Sequence, residues 1–385
     1  MLENWQQHGF GLYVHWPFCQ AKCPYCDFNS YVSDNIEISA WETAFLAEIE
    51  YWAAVTGPRV LTSVYFGGGT PSLMPPNLVA AIIDKAASLW SLANDCEITL
   101  EANPTSVEAT KFEGFKAAGV NRISMGFQAL NDHDLKALGR LHSVDESLKA
   151  LDTAQSLFER VNFDLIYGRQ NQSKQDWERE LNQAINLNPS HMSLYQLTIE
   201  SGTRFADLYN AGKLRGLPDE DHGADLYELT QEITQNAGLP SYEVSNHARS
   251  GEQSQHNLIY WRAGDYIGIG PGAHGRYTIR GTRYATETEI APLTWLDAAT
   301  RRSDQHRTRI TQSRNDVDNE VLMMGLRTNE GVDLTRLNLR EKEFLYNKIN
   351  LLSEDALVQL RSDTLFTTSN GKLLLNHVIK ELLVQ

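Results

Sequence analysis

At 385 residues the chain is long for one domain, and its apolar share of 42% is enough to build a core without help from a metal or a disulfide. A formal charge of −15 and a pI near 5.2 argue against a nucleic-acid surface, which needs basic patches. The opening MLENWQQHGF lacks the basic start and apolar core of a signal peptide, and no run approaches a membrane span. The expected setting is therefore the cytoplasm, for a protein that is not integral to a membrane.

The first apolar run, 11–18, reads as a strand and opens into a loop punctuated by Pro17 and Pro24. That loop carries Cys19, Cys23 and Cys26 in the spacing Cys-x-x-x-Cys-x-x-Cys, three of the four cysteines in the chain. Thiolates clustered in a loop reach one centre without long chain closure and suit zinc or an iron–sulfur cluster. Structural zinc usually takes four protein ligands. A four-iron, four-sulfur cluster held by three thiolates keeps one iron open for a ligand. Two alternatives stay open on the residues alone: zinc completed by a distant His or Asp, and three reduced cysteines in a turn.

Strand-like runs recur at 63–66, 97–100, 122–127, 162–167 and 191–199, alternating with helical periodicity over 38–55, 77–92, 108–118, 144–158 and 175–187. This pattern predicts a parallel α/β sheet whose chemistry gathers at the C-terminal strand ends. Besides the cysteine loop, those ends present Gly67-Gly68-Gly69-Thr70-Pro71, Glu101 and Gln128, while Asp164 lies within the fifth run. Consecutive glycines permit positive φ and close approach to a ligand. An acid on an inner strand face needs a partner or a ligand. For Asp164 the two readings are a structural pair with Arg140 and a ligand contact; alone, Glu101 reads as a solvated or salt-bridged acid.

The cysteine spacing, with Tyr25 before the last cysteine, resembles the signature of the radical S-adenosylmethionine superfamily. The flanking words LYVHWPFC and CPYCDFNS resemble more narrowly the oxygen-independent coproporphyrinogen oxidase-like (dehydrogenase) family, with its HemW-like branch of haem chaperones. The resemblance implies an incomplete (βα)6 TIM-like barrel. It implies a 4Fe-4S cluster on Cys19, Cys23 and Cys26, with S-adenosylmethionine chelated to the open iron. Gly68, Gly69, Thr70 and Glu101 are implied to contact that molecule, as are Tyr13 and Tyr25, otherwise core aromatics. Gln128, Arg140 and Asp164 match the surroundings of a second S-adenosylmethionine. One departure follows the fifth strand, where the family's Gly-Leu-Pro-Gly-Gln is here Gly168-Arg169-Gln170-Asn171-Gln172.

Past residue 199 the alternation stops; 219–236 reads as an amphipathic helix and 241–246 as a strand. The stretch after it holds His247, His256 and His274 among aromatics and glycines. His256-Asn257-Leu258-Ile259-Tyr260-Trp261 matches an element linked to haem in the HemW-like branch. The match implies His256 as an axial ligand, with Tyr260 and Trp261 suited to a porphyrin face; without it, His256 is a hydrogen-bonding loop residue. The 270–274 loop, ending in His274, is implied to cover the adenosyl group. Residues 301–319 read as an exposed polar helix or loop. Helices over 341–352 and 376–383 flank strand-like runs at 365–368 and 372–375, a helical, winged-helix-like α+β module. The expected division is a barrel at 1–200, a covering segment at 201–285 and the C-terminal domain at 286–385. Cys96 reads as a buried small hydrophobe.

In the dehydrogenases another cysteine follows the third by two positions, and an arm precedes the barrel. Here that position is Phe28, and eighteen residues lie ahead of Cys19. Both departures favour the HemW-like branch. The implied function is a haem chaperone that carries the cluster, S-adenosylmethionine and haem and passes haem to an acceptor protein, membrane-bound respiratory haem proteins being among the acceptors considered. The alternatives are radical decarboxylation of coproporphyrinogen III propionates to vinyl groups, and a zinc-bound scaffold without catalysis. Exposed apolar helices leave a homodimer open.

Overall fold

A computed structural model describes residues 3–337 and 342–383. Six parallel strands form its centre: β1 (Phe10–Trp16), β2 (Val60–Gly68), β3 (Ser91–Ala102), β4 (Arg122–Gln128), β5 (Arg160–Tyr167) and β6 (His191–Gln196), neighbours in that order. Helices α1 (Ile38–Thr56), α2 (Pro76–Leu89), α3 (Phe112–Ala117), α4 (Val144–Leu157) and α5 (Lys174–Asn186) follow the first five strands. The expected helix over 108–118 is split, because Thr110 and Lys111 separate a short turn of helix, Ser106–Ala109, from α3. The strand order is linear, so the barrel is open: β7 (Asn246–Ala248) closes one edge antiparallel to β6.

On the other edge β8 (Asp265–Ile269) lies parallel to β1. The antiparallel strands β9 (His274–Ile279), β10 (Thr282–Thr288) and β11 (Arg307–Thr311) extend the sheet further. Residues 301–319 are mostly exposed, as expected, but 307–311 form strand β11 instead of a helix or loop, and the buried His306 joins Arg307 in bonding the buried Glu48 of α1. The run at 241–246 forms only isolated bridges, Ser241 to His247 and Glu243 to Thr328, and the strand begins at Asn246.

The core follows from period. Leu12, Val14 and Trp16 of β1 are buried against the helices, and Trp41, Phe45, Ile49 and Trp52 form the buried stripe of α1 at helical spacing. The opposite faces of β1–β6 turn inward and are polar, with Tyr13 beside Tyr65, Glu101 beside Ser124, Ser124 beside Asn162 and Asp164 beside Ser193 in register.

A separate apolar cluster binds α9 (Arg314–Gly325), α10 (Lys342–Glu354), α11 (Leu375–Leu382) and a small sheet of β12 (Val332–Asp333), β13 (Val358–Arg361) and β14 (Thr364–Thr367). Its wing pairs 358–361 with 364–367. The run at 372–375 is instead helical, capped by Thr368, whose hydroxyl accepts from Gly371 N. The expected helix start at Glu341 lies outside the described residues.

Candidate cluster and cofactor site

The C-terminal ends of β1–β6 surround a cleft of about 340 Å³. Cys19, Cys23, Cys26, Tyr25, Gly68, Gly69, Thr70, Glu101, Gln128, Arg140 and Asp164 all line it. The cysteine loop is tied to β1 by His15, whose Nε2 donates to Asn29 O at 2.9 Å and whose Nδ1 therefore accepts from Tyr13 Oη at 2.9 Å. The glycine turn is laced to the same loop: Gly69 N donates to Trp16 O at 2.7 Å and Thr70 N to Phe18 O at 2.9 Å. Gly68 has φ +113°, and a Cβ there would stand 2.7 Å from the His15 ring. At Gly69 a Cβ would meet Phe18 O at 2.8 Å and Cys19 Sγ at 3.0 Å. These two positions need glycine because backbone passes directly behind a cysteine ligand.

Burial raises the pKa of the Cys19 and Cys26 thiols, so both stay protonated until a positive centre compensates. Thr70 Oγ1 donates to Cys19 Sγ and Arg140 Nη1 to Cys23 Sγ, each at 3.4 Å. Cys19, Cys23 and Cys26 line the same cleft, and three soft thiol donors are a set that fits an iron–sulfur cluster.

Two carboxylates stand deeper. Tyr65 Oη donates to Glu101 Oε1 at 2.7 Å. Desolvation, with the Asp164 charge adding to it, pushes Glu101 up to about 7. Desolvation likewise raises Asp164 to about 6, against the lowering effect of Ser193. Asp164 makes no ion pair with Arg140, whose guanidinium bonds Asn103 Oδ1 at 2.6 Å and Gly126 O at 3.0 Å. Asp164 Oδ1 and Arg140 Nε are buried atoms with no protein partner. Gln128 holds φ at +71°, where the β4–β5 register shifts, a strained backbone of the kind kept at ligand sites. Unpartnered polar atoms, a glycine cradle and three thiols together fit an amino-acid-bearing cofactor beside a cluster.

Other expected residues lie elsewhere. Tyr13 sits below the cleft, stacked on Tyr65 at 6.3 Å. His274 is more than half exposed on β9, 3.7 Å from Glu287, and the loop before it packs behind the cysteine loop, where Pro271 O accepts from Asn29 Nδ2 at 2.9 Å. His256 opens α7 (Gln255–Trp261), which plugs the other end of the barrel. The ring is buried and stacked on Tyr65 at 4.9 Å, with Nδ1 bonded to Ser63 Oγ and Nε2 to Tyr260 Oη, both at 2.6 Å. Neither nitrogen is free for a metal in this arrangement, and burial lowers the ring to about 3, leaving it neutral. Tyr260 and Trp261 border a second cavity of about 360 Å³, together with Glu243, Asn246, Asn257, Tyr195 and Arg327.

Sequence reasoning missed Asn103, His142 and His15. Asn103 follows Glu101 by two and precedes Pro104, so strand alternation already put both on one face. His142 lines the cleft and donates from Nε2 to Phe127 O at 3.1 Å, bracing the strand end at Gln128. The divergent turn after β5 is fixed by its own residues: Gln172 Oε1 accepts from Gly168 N at 2.7 Å, and the buried Arg169 pairs with Glu180 and, at 2.8 Å, with Asp134.

The Radical SAM superfamily pattern matches residues 13–184, and the HemN C-terminal domain pattern matches 312–374. The chain is 35% identical over 385 residues to the heme chaperone HemW of Mycobacterium tuberculosis, covering 97% of this chain and 95% of that one. With the heme chaperone HemW of Escherichia coli it shares 42% identity over 280 residues, 72% of this chain and 73% of the relative. The chain belongs to the HemW-like radical S-adenosylmethionine family. Membership carries a 4Fe-4S cluster and S-adenosylmethionine as the family's cofactors. Mitochondrial radical S-adenosyl methionine domain-containing protein 1 of Bos taurus is also similar, at 41% over 326 residues, 83% of this chain and 74% of that one. Among solved structures, coproporphyrinogen III oxidase (HemN) from Escherichia coli superposes with a TM-score of 0.80 at 22% identity over 97% of this chain and 90% of that one. At that identity the likeness speaks for the fold: the open six-stranded barrel with its C-terminal module. No described helix is long and apolar enough to cross a membrane.

Proposed function

We propose that this HemW-like chain is a cytoplasmic haem chaperone: it holds the cluster and S-adenosylmethionine in the cleft, binds haem, and passes it to an acceptor protein. The observation that carries this is the 35% identity to a heme chaperone HemW along 97% of the chain. Cys19, Cys23 and Cys26 would hold the cluster, whose open iron supplies a binding and redox centre. Gly68, Gly69, Thr70, Glu101 and Tyr25 would seat S-adenosylmethionine, and Gln128, Arg140 and Asp164, which line the same cleft, would surround a second molecule of it.

Haem is assigned to the second cavity, on the Tyr260–Trp261 side. Arg327 borders it half-buried, donating to Met323 O and in no ion pair among the described residues, and desolvation lowers its pKa, so a propionate there would be welcome. Trp261 Nε1 is buried without a protein partner. A role for His256 on iron would require one of its two ring bonds, to Tyr260 or to Ser63, to break, the other orienting the ring.

Anaerobic reconstitution with iron and sulfide, followed by haem titration, tests the reading. A stoichiometric Soret-absorbing complex with the cluster intact is expected. Its absence, combined with conversion of coproporphyrinogen to protoporphyrinogen under reductant, would replace the chaperone with the dehydrogenase reading.

A further inference from the structure

Two of the three cysteines are reached by hydrogen bonds that meet at one side chain. Asn103 Nδ2 donates to Thr70 Oγ1 at 3.3 Å, and Thr70 Oγ1 donates in turn to Cys19 Sγ at 3.4 Å. Asn103 Oδ1 accepts from Arg140 Nη2 at 2.6 Å, while Nη1 of the same guanidinium donates to Cys23 Sγ at 3.4 Å. The amide is held from behind. Glu108, buried, accepts from Asn103 N at 2.9 Å and from Asn103 Nδ2 at 3.2 Å, and is itself bonded by Ser72 Oγ. An amide that donates to one arm and accepts from the other fixes the rotamers of both.

We propose that Asn103, anchored by Glu108, is a positioning residue that aims the Thr70 hydroxyl and the Arg140 guanidinium at two cluster thiolates and so sets the reduction potential of the cluster. The chemistry is direct. As cluster ligands the cysteines are thiolates and accept both bonds. Donors to ligand sulfur stabilise the more negative, one-electron-reduced cluster and raise its potential. The electron comes from an external low-potential one-electron donor and rests on the cluster; no bond is made or broken. Glu108 also has a limiting role: it keeps the amide from turning, so that the donor faces Thr70 and the acceptor faces Arg140. The inference rests on family membership and holds whichever porphyrin chemistry the protein performs.

The test is a redox titration of the reconstituted protein with dithionite and mediators, followed by the electron paramagnetic resonance of the reduced cluster. Asn103→Ala releases both arms and is expected to move the potential to more negative values by the equivalent of a several-fold to tenfold smaller reduction constant, tenfold being about 59 mV for one electron. Thr70→Val removes one arm and should give a smaller shift in the same direction. The double variant should shift no further than Asn103→Ala, because the hydroxyl arm acts through the amide. Iron and sulfide content per chain should stay at the unaltered level throughout. A potential unchanged in Asn103→Ala, with the cluster at full content, would overturn the proposal. Should Asn103→Ala fail to hold the cluster, Thr70→Val decides alone: a negative shift supports the relay and an unchanged potential overturns it. Failure of the unaltered protein to assemble any cluster would strike at the site reading itself, a different result from either.

Discussion

At the scale of single residues the cleft is controlled by two acids whose charge the fold opposes. Desolvation lifts Glu101 to about 7 and Asp164 to about 6. Between the ordinary carboxylate pKa of about 4 and these values, the folded chain binds more protons than the unfolded one, so stability without ligand falls as pH rises through that window. A cation in the cleft reverses the sign by favouring the ionised acids. The rise in Tm on adding S-adenosylmethionine should therefore be larger at about pH 8 than at about pH 5.5, and Glu101→Gln should flatten that difference. Equal rises at both pH values would mean that neither acid meets the ligand's charge. His256 supports the opposite end. Replacing it by Ala strands Ser63 Oγ and Tyr260 Oη in a buried site, at an expected cost of about 2–3 kcal/mol in chemical denaturation. Haem stoichiometry should survive in His256→Ala. A lost Soret band with the fold intact would show that α7 opens to present the ring to iron.

Elements place these residues, and much of that placement was legible. The alternation of apolar runs with helical period marked all six barrel strands, and the rule that chemistry sits at strand ends pointed to the cysteine loop and the glycine turn, with Glu101 and Gln128 at neighbouring ends; the ligand roles of Glu101 and Asp164 came from the family resemblance. Long-range pairing was not legible. Strand β8 lies parallel to β1, though some 250 residues separate them in sequence. The polar run containing β11 is solvent-facing, as it looked, but its anchor was not legible, because the partner of His306 and Arg307 is Glu48, from the far end of the chain. The word around His256 suggested a ligand because its two hydrogen-bond partners cannot be read from neighbours alone. Where the backbone itself is the constraint, sequence and structure agree on glycine. In the turn after β2, Gly69→Ala drives a Cβ to 3.0 Å from Cys19 Sγ and 2.8 Å from Phe18 O. The expected result is a folded protein that retains less than half of the cluster iron and sulfide, with a stability loss of about 1–3 kcal/mol. Full cluster content would show that the loop can retreat from the turn.

Across the whole molecule one buried carboxylate joins parts distant in sequence. Asp265 on β8 accepts from Arg59 Nη1 at 2.6 Å just ahead of β2, from Asn4 Nδ2 at 2.7 Å near the start of the chain, from Thr278 N at 2.7 Å on β9 and from Arg283 Nη1 at 3.2 Å on β10. Arg283 then reaches Glu320 of α9 at 2.8 Å, so the network runs from the barrel into the C-terminal module. Arg59 and Asp265 are almost wholly excluded from water. Such a pair adds little over an apolar contact of the same shape, yet breaking it leaves charges stranded in a low-dielectric interior. Asp265→Asn keeps the shape and removes the charge from between two guanidiniums. Its expected cost is about 3–5 kcal/mol in denaturant unfolding. The strain should be felt at both ends of the network, as loss of protection in β8, β9 and the start of α9 by hydrogen exchange. Restricting the loss to β8 would show that the barrel and the C-terminal module are joined by their apolar contacts alone. Loss in all three segments would identify Asp265 as the charge that holds the covering hairpin, the barrel edge and α9 in one register.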